Sequence, residues 1–284
     1  MELIFKDCSG IDPSQLCAAT NAAFSDYVVP LRMTSNQFED FRCQRGFSSR
    51  HSFIAWYGDQ IAGFWFSSPP AREYENLAYT LSVGTLPDFR RRGISNLLLK
   101  AVSEVLRNDT ASGMQLEVVA TNGNAINAYE KFGFEKQRTL GIFKVQGEAL
   151  ERSGSLKHDL KPIAAEGLPV NENAFFDAMP TPQNSRAAIT RLGSKAQLLI
   201  AQEDGECVGW GAIYEDGAVA QIAVHKNFRR QGIGRALLSK LGQLVSADQL
   251  TFVNVDTTAN SLNAFLKNAG AEEVLQQHEM RLMF

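Results

Sequence analysis

The sequence predicts an α/β fold in two tandem copies, each with a central sheet flanked by helices. Three observations carry this. At 284 residues the chain exceeds a typical domain of about 100–200 residues, so two domains of similar size are the natural division. The second half repeats the first in a consistent order, at offsets of 146, 139 and 136 residues, and a repeat that long means two copies of a domain and not a solenoid. Within each copy, strand-like apolar runs alternate with helical ones.

Each copy opens with a helical segment, which in the first is ended at SDYVVP by Pro30 and the β-branched pair before it. A hairpin follows. IAWYGDQIAGFWF (Ile54 to Phe66) matches IAQEDGECVGWGA (Ile200 to Ala212), each a strand, a Gly/Asp turn and a second strand that glycine enters. Leu77, Tyr79, Leu81 and Val83 then alternate as a strand should. The basic glycine turns come next: RRRGIS, Arg90 to Ser95, and RRQGIG, Arg229 to Gly234. Behind them Ile94, Leu97, Leu98, Ala101, Val102 and Val105 recur at helical spacing, as do Ile233, Leu237, Leu241, Leu244 and Val245. After a further strand, the helix of NGNAINAYEKFGF (Asn122 to Phe134) matches that of TANSLNAFLKNAGA (Thr258 to Ala271), and a closing strand ends each copy. The boundary falls in Gln146 to Asp159, where the polar run at Ser153-Gly154-Ser155 reads as a linker, giving domains 1–147 and 156–284.

Composition excludes several classes. With 44% hydrophobic and 21% charged residues the chain is ordinary globular protein. A net charge of -3 lacks the basic footprint of a nucleic-acid binder. The opening MELIFKDCSG has no basic n-region or apolar h-region, and no stretch reaches the roughly 18 apolar residues of a membrane span, so a cytoplasmic protein without a membrane partner is expected. Cys8, Cys17, Cys43 and Cys207 show no CxxC spacing. They read as buried free thiols, with no metal site or disulfide framework.

The basic glycine turns lie where a strand meets a helix. The first amides of a helix have no intrahelical acceptor, and with the helix dipole they suit an anion such as a phosphate, which glycine lets approach the backbone. Neither GxxxxGK nor GxGxxG is present, so the two commonest nucleotide motifs do not explain the turns. The pattern Arg/Gln-x-x-Gly-x-small, twice, resembles the hallmark of the GNAT superfamily of acyl-CoA-dependent N-acyltransferases. RRQGIG fits it fully, and RRRGIS departs at Ser95. The resemblance covers both halves. It implies in each a mixed, mostly antiparallel sheet flanked by helices, and acetyl-CoA as the acyl donor. The pyrophosphate would be held by Arg90, Arg91, Arg92, Gly93, Ile94 and Ser95, or by Arg229, Arg230, Gln231, Gly232, Ile233, Gly234 and Arg235. The strand residues Val83, Gly84 and Thr85, or Ile222, Ala223 and Val224, would pair through their backbones with the pantetheine arm.

Acyl transfer to an amine requires a deprotonated nucleophile and a proton for the departing thiolate, so two side chains must handle protons. LEVVATNGNAINAYEKFGF (Leu116 to Phe134) resembles the stretch in GNAT enzymes that acetylate ribosomal-protein N-termini. That resemblance implies Glu117 as base, Asn122 as a CoA contact and Tyr129 as acid. The second half has Val253, Thr258 and Phe265 at these places, with Asp256 and Thr257 as the nearby polar residues. The first half is therefore expected to catalyse and the second to bind acyl-CoA or complete the fold. Two alternatives stay open: a non-catalytic acyl-CoA sensor, and catalysis by the second copy, as in tandem GNAT enzymes such as mycothiol synthase. The acceptor, a small-molecule or peptide amine, would enter by Asn21 to Phe47, where Tyr27, Arg32 and Phe41 are candidate lining residues. Glu39, Glu73 and Glu75 are acids that would attract a cationic amine.

Overall fold

The computed structural model describes residues 2–26, 32–147 and 158–284. Tyr27, Pro30 and the Ser153-Gly154-Ser155 run lie outside the described residues. The chain forms two compact units. Unit 1 comprises Met1–Val118, Gly123–Gln137 and Glu279–Phe284, and unit 2 comprises Val119–Asn122 and Arg138–His278.

Unit 1 opens with an edge strand that the sequence reading did not separate from the helical opening, β1 (Leu3–Asp7). Helix α1 (Pro13–Ala23) starts at Asp12, whose carboxylate accepts the Ser14 N–H at 2.8 Å, with proline in the first turn where its missing N–H costs nothing. Helix α2 (Ser35–Arg45) starts with a reciprocal cap between Thr34 and Gln37 and stops on left-handed Gly46 (φ 71°). Strands β2 (Phe53–Tyr57), β3 (Gln60–Ala71) and β4 (Leu77–Thr85) run antiparallel beside β1. Helix α3 (Ile94–Asn108) crosses to β5 (Gly113–Val119), which lies parallel to β4, and α4 (Gly123–Lys131) follows. The apolar face of α3 is shifted from the expected stripe. Ile94, Leu98 and Val102 are buried as predicted, but Leu97 is exposed while Leu99 and Leu106, two turns apart from each other, are buried. They pack on Phe64, Trp65 and Phe66 of β3, large side chains removed entirely from water.

Strand β6 (Glu135–Gln146) contributes its residues from Arg138 onward to unit 2. There β7 (Asp159–Pro162) precedes short 3-10 turns and the seven-residue α5 (Arg186–Leu192) where the repeat predicts a helical opening. Pro169, Pro180 and Pro182 interrupt that segment, and a helix interior tolerates none of them. The hairpin β8 (Ala196–Glu203) and β9 (Glu206–Tyr214) turns at Asp204-Gly205, both with positive φ as a tight hairpin requires. Strand β10 (Ala218–Val224), helix α6 (Ile233–Val245), strand β11 (Gln249–Asp256) and helix α7 (Asn260–Asn268) repeat the first copy, with β10 and β11 parallel.

The closing strands do not follow the sequence division at 147/156. The last strand, β12 (Glu272–Met283), gives its end from Glu279 to unit 1, where it adjoins β5, while β6 pairs antiparallel with β11 in unit 2. Unit 1 therefore has the order β1-β2-β3-β4-β5-β12, and unit 2 the order β6-β11-β10-β9-β8-β7. The cores carry the same exchange: Met280 is buried among unit 1's apolar residues, and Val145 among those of unit 2. Among the described residues no helix is long and apolar enough to cross a membrane.

Candidate functional site

In both units the parallel strand pair comes apart. β4 meets β5 only over Leu77–Tyr79, and β10 meets β11 only over Ala218–Val219. Val83, Gly84 and Thr85 go on pairing with β3, and Ile222, Ala223 and Val224 with β9, so the opposite edge of each segment borders a gap with no strand partner. Gly84 makes room for the protein's own Phe64, whose Cζ would lie 2.5 Å from an added Cβ. Ala223 is buried on the core side, whereas Ile222 and Val224 face a cavity.

The basic glycine turns sit at the mouth of each gap. Gly93 (φ 72°) begins α3 and Gly232 (φ 85°) begins α6, and the arginines two before them, Arg91 and Arg230, also hold positive φ, a strained state for non-glycine residues. A Cβ at either glycine would meet nothing within 4 Å, so the backbone there stands open to a ligand. The helical ladders begin with Asn96 N–H donating to the Gly93 carbonyl and Ala236 N–H to that of Gly232, which leaves the preceding amides at the positive end of the dipole. The residues fit a pyrophosphate.

The side chains of these turns divide their labour differently from the expectation. Arg90 serves the protein: its guanidinium donates to both Asp26 carboxylate oxygens at 2.6 and 2.7 Å, to the Thr85 carbonyl and to the Ala23 carbonyl. Arg229 repeats the design, donating to Asp177, Ser261 Oγ and the carbonyls of Val224 and Phe175. Both fix the turn from behind. Ile94 and Ile233 are buried helix anchors. Arg92 donates to the Asp88 carbonyl and lies over the Phe89 ring, and Gln231 is exposed. Ser95 fits because its hydroxyl lies 3.2 Å from that of Thr85, while a Cβ at Gly234 would already touch Phe265 at 3.4 Å.

In unit 2 the gap opens into a cavity of about 460 Å³. Arg230, Gly232 and Arg235 line one side, and Phe176, Phe228 and Phe265 supply apolar walls. Arg235 also donates to the Asn268 carbonyl at the end of α7. Phe265 is the residue that matches Tyr129, so that position borders the ligand space in the second copy.

In unit 1, Glu117 on β5 is half-buried and accepts a hydrogen bond from the Tyr79 hydroxyl at 2.6 Å. Burial pushes the Tyr79 phenol well above its ordinary value, the Glu117 charge adds to this, and Arg45 pulls the other way. Tyr129, half-buried in α4, sets its ring edge-on to Trp65 and tilted against Phe134. Asn122 lies in the turn after β5, whose segment Val119–Asn122 belongs to unit 2. The sequence reading missed Tyr79, taking it only as a strand residue. It also missed Gln115, on the Glu117 side of β5 and 1% exposed, whose amide atoms have no hydrogen-bond partner among the described residues.

Among the described residues of unit 2 this pair has no counterpart. Asp256 is committed to the start of α7: burial favours its neutral form, but the Thr258 hydroxyl and amide and Arg138 outweigh this and hold its carboxyl below the usual range. Thr257 donates to the Thr139 carbonyl. At Val253, the carbonyl accepts from Asn184, part of a buried knot in which Gln221 bonds the Asn184 carbonyl and Trp210 bonds Gln221.

Of the candidate acceptor residues in unit 1, Arg32 lines a cleft between α1 and α2 with Cys17, Asn21 and Thr34. Phe41 stacks on Phe38 instead. Glu39 pairs with Arg42 and Glu75 with Arg281, and Glu73 is exposed.

A model of the acetyltransferase (GNAT) family matches residues 19–134, and one of the acetyltransferase (GNAT) domain matches residues 160–274. The chain belongs to the GNAT family. It is a tandem GNAT protein, and the family carries acyl-CoA-dependent acetyl transfer as its general chemistry. Part of the chain is 37% identical over 71 residues to an N-alpha-acetyltransferase of Saccharolobus solfataricus, covering 25% of this chain and 42% of that protein. Another match is 26% identical over 125 residues to a mycothiol acetyltransferase of Brachybacterium faecium, covering 44% of this chain and 38% of that protein. The chain thus spans less than half the length of these curated relatives. The fold as a whole resembles a tandem GNAT protein from the clavulanic acid biosynthesis pathway (TM-score 0.72, 14% identity, 99% of this chain and 98% of that one). It also resembles a GCN5-related N-acetyltransferase from Sphaerobacter thermophilus (TM-score 0.69, 15% identity, 99% and 95%).

Proposed function

We propose that unit 1 of this GNAT protein transfers an acetyl group from acetyl-CoA to a primary amine, of a small molecule or a peptide N-terminus, and that unit 2 binds acyl-CoA without efficient turnover. The observation that carries this is the hydrogen-bonded Glu117 beside the parted β4 and β5, set against Val253 and a filled polar knot at the matching place in unit 2. Acetyl-CoA supplies an activated thioester when bound. The amides following Arg92 would hold its pyrophosphate, and the open edge of Val83–Thr85 would pair with the arm. Glu117 takes a proton from the acceptor ammonium, which frees the amine to attack. Tyr129 gives its phenolic proton to the departing sulfur, a step suited to a group with an ordinary pKa near 10. A cytoplasmic location with no nucleic-acid or membrane partner accompanies this reading.

The cavity of unit 2 favours a second reading, catalysis in the second copy, and the same experiment separates the two. Acetyl-CoA is titrated calorimetrically into the wild type and into Gly93→Glu and Gly232→Glu, which put a carboxylate where the pyrophosphate would lie, while CoA release is followed with a pool of free N-terminal peptides. Loss of turnover with Gly93→Glu alone supports unit 1. Loss with Gly232→Glu alone moves catalysis to unit 2, and binding without turnover under any condition leaves a sensor.

A further inference from the structure

We propose that Tyr79, backed by Arg45, is a positioning residue that orients the Glu117 carboxylate and keeps it ionised. The inference rests on the reading of Glu117 as the base. Three elements of unit 1 converge here: Arg45 from the last turn of α2, Tyr79 from β4 and Glu117 from β5. Tyr79 is 4% exposed, and a buried hydroxyl without a partner would cost about 1–3 kcal/mol. It donates to Glu117 Oε2 at 2.6 Å, the short length of a charge-assisted bond.

Arg45 decides the direction of that bond. A guanidinium can only donate, and Arg45 hydrogen-bonds the Tyr79 hydroxyl, so the single phenolic proton is committed to Glu117. The Arg45 guanidinium is itself held over the Phe41 ring, 4.4 Å from its centroid, and donates to the Gln44 side-chain oxygen at 2.9 Å. A donor fixed on one carboxylate oxygen favours the charged form and sets the plane of the group. The second copy gives an internal comparison. Tyr79 pairs in register with Gln115, and the matching pair in unit 2 is Ala218 with Thr251. The copy with Val253 in place of the carboxylate therefore also lacks the tyrosine.

The test uses the full-length protein with Tyr79→Phe, Arg45→Gln and Glu117→Gln. The carboxyl of Glu117 is followed by ¹³C NMR, assigned by its loss in Glu117→Gln, a readout that needs no acceptor. Turnover is measured across pH with acetyl-CoA and a pool of tetrapeptides with free N-termini. In Tyr79→Phe the Glu117 carboxyl is expected to titrate at higher pH, and kcat to fall about tenfold with an unchanged KM for acetyl-CoA, less than the 10²–10⁴ of a proton-transfer group itself. Arg45→Gln should move both readouts the same way by less, and it serves alone if Tyr79→Phe does not fold. An unaltered Glu117 titration and kcat in these variants, with Glu117→Gln inactive, overturns the positioning role only. Full activity of Glu117→Gln overturns the base assignment and the positioning role with it.

Discussion

Arg229 donates to Asp177 at 2.8 Å, and the other oxygen of Asp177 accepts the Ser261 N–H at 3.1 Å, so one carboxylate ties the second basic turn to the start of α7. Burial favours the neutral acid, but these bonds outweigh it and hold the Asp177 carboxyl below its ordinary value. A depressed carboxyl contributes stability above the unfolded value of about 3.9 and loses it as pH falls through the folded value. Asp177→Asn is expected to destabilise unit 2 by about 1–3 kcal/mol at neutral pH and to remove that share of its acid sensitivity. Urea melts at pH 7 and below pH 4 would show it, and equal loss at both would contradict the assignment.

Tyr129→Phe should lower kcat by about 10²-fold while leaving the KM for acetyl-CoA nearly unchanged, since only the proton donor is removed. The reverse change in unit 2, Phe265→Tyr, should add no activity because Val253 offers no carboxylate. Free thiol released from acetyl-CoA reports both. A silent Tyr129→Phe would return that ring to a packing role beside Trp65.

Gly113 has no room for a side chain: a Cβ there would lie 2.2 Å from the Leu282 carbonyl oxygen and 3.0 Å from the Met283 Cα. The backbone of β12 must move for any larger residue, so Gly113→Ala should destabilise unit 1 by about 1–3 kcal/mol. Hydrogen exchange should find protection lost in β5 and at Glu279–Phe284 and kept in β8 and β9.

Cys8 is buried at 3% exposure, and burial, with the charge of Asp7, pushes its thiol up to about 12. The thiolate is the reactive form, so Cys8 should resist alkylation at pH 8 until denaturant is added. Mass mapping after brief iodoacetamide treatment checks this.

The tandem arrangement and the basic turns were legible because each is written locally, in apolar periodicity and in two glycines whose φ only glycine adopts easily. Glu117 and Tyr129 came from resemblance, and Tyr79 was hidden because in a strand pattern it counts as one more apolar position. Its hydroxyl acquires meaning only when β5 brings a carboxylate within 2.6 Å. The partners of Arg90 and Arg229 were hidden for a related reason: a sequence shows a charge and not whether Asp26 or Asp177 already holds it. The exchange of β6 and β12 left no local trace, since the alternation that makes a strand does not say which sheet edge it will join.

That exchange has a consequence for how the protein is made. On the ribosome, β5 leaves the exit tunnel long before Glu279 is translated, so the half synthesised first waits with an open sheet edge for the last strand. A chain halted before that point would leave Glu117 on an unfinished sheet. The first unit is thus finished only after the second has been synthesised.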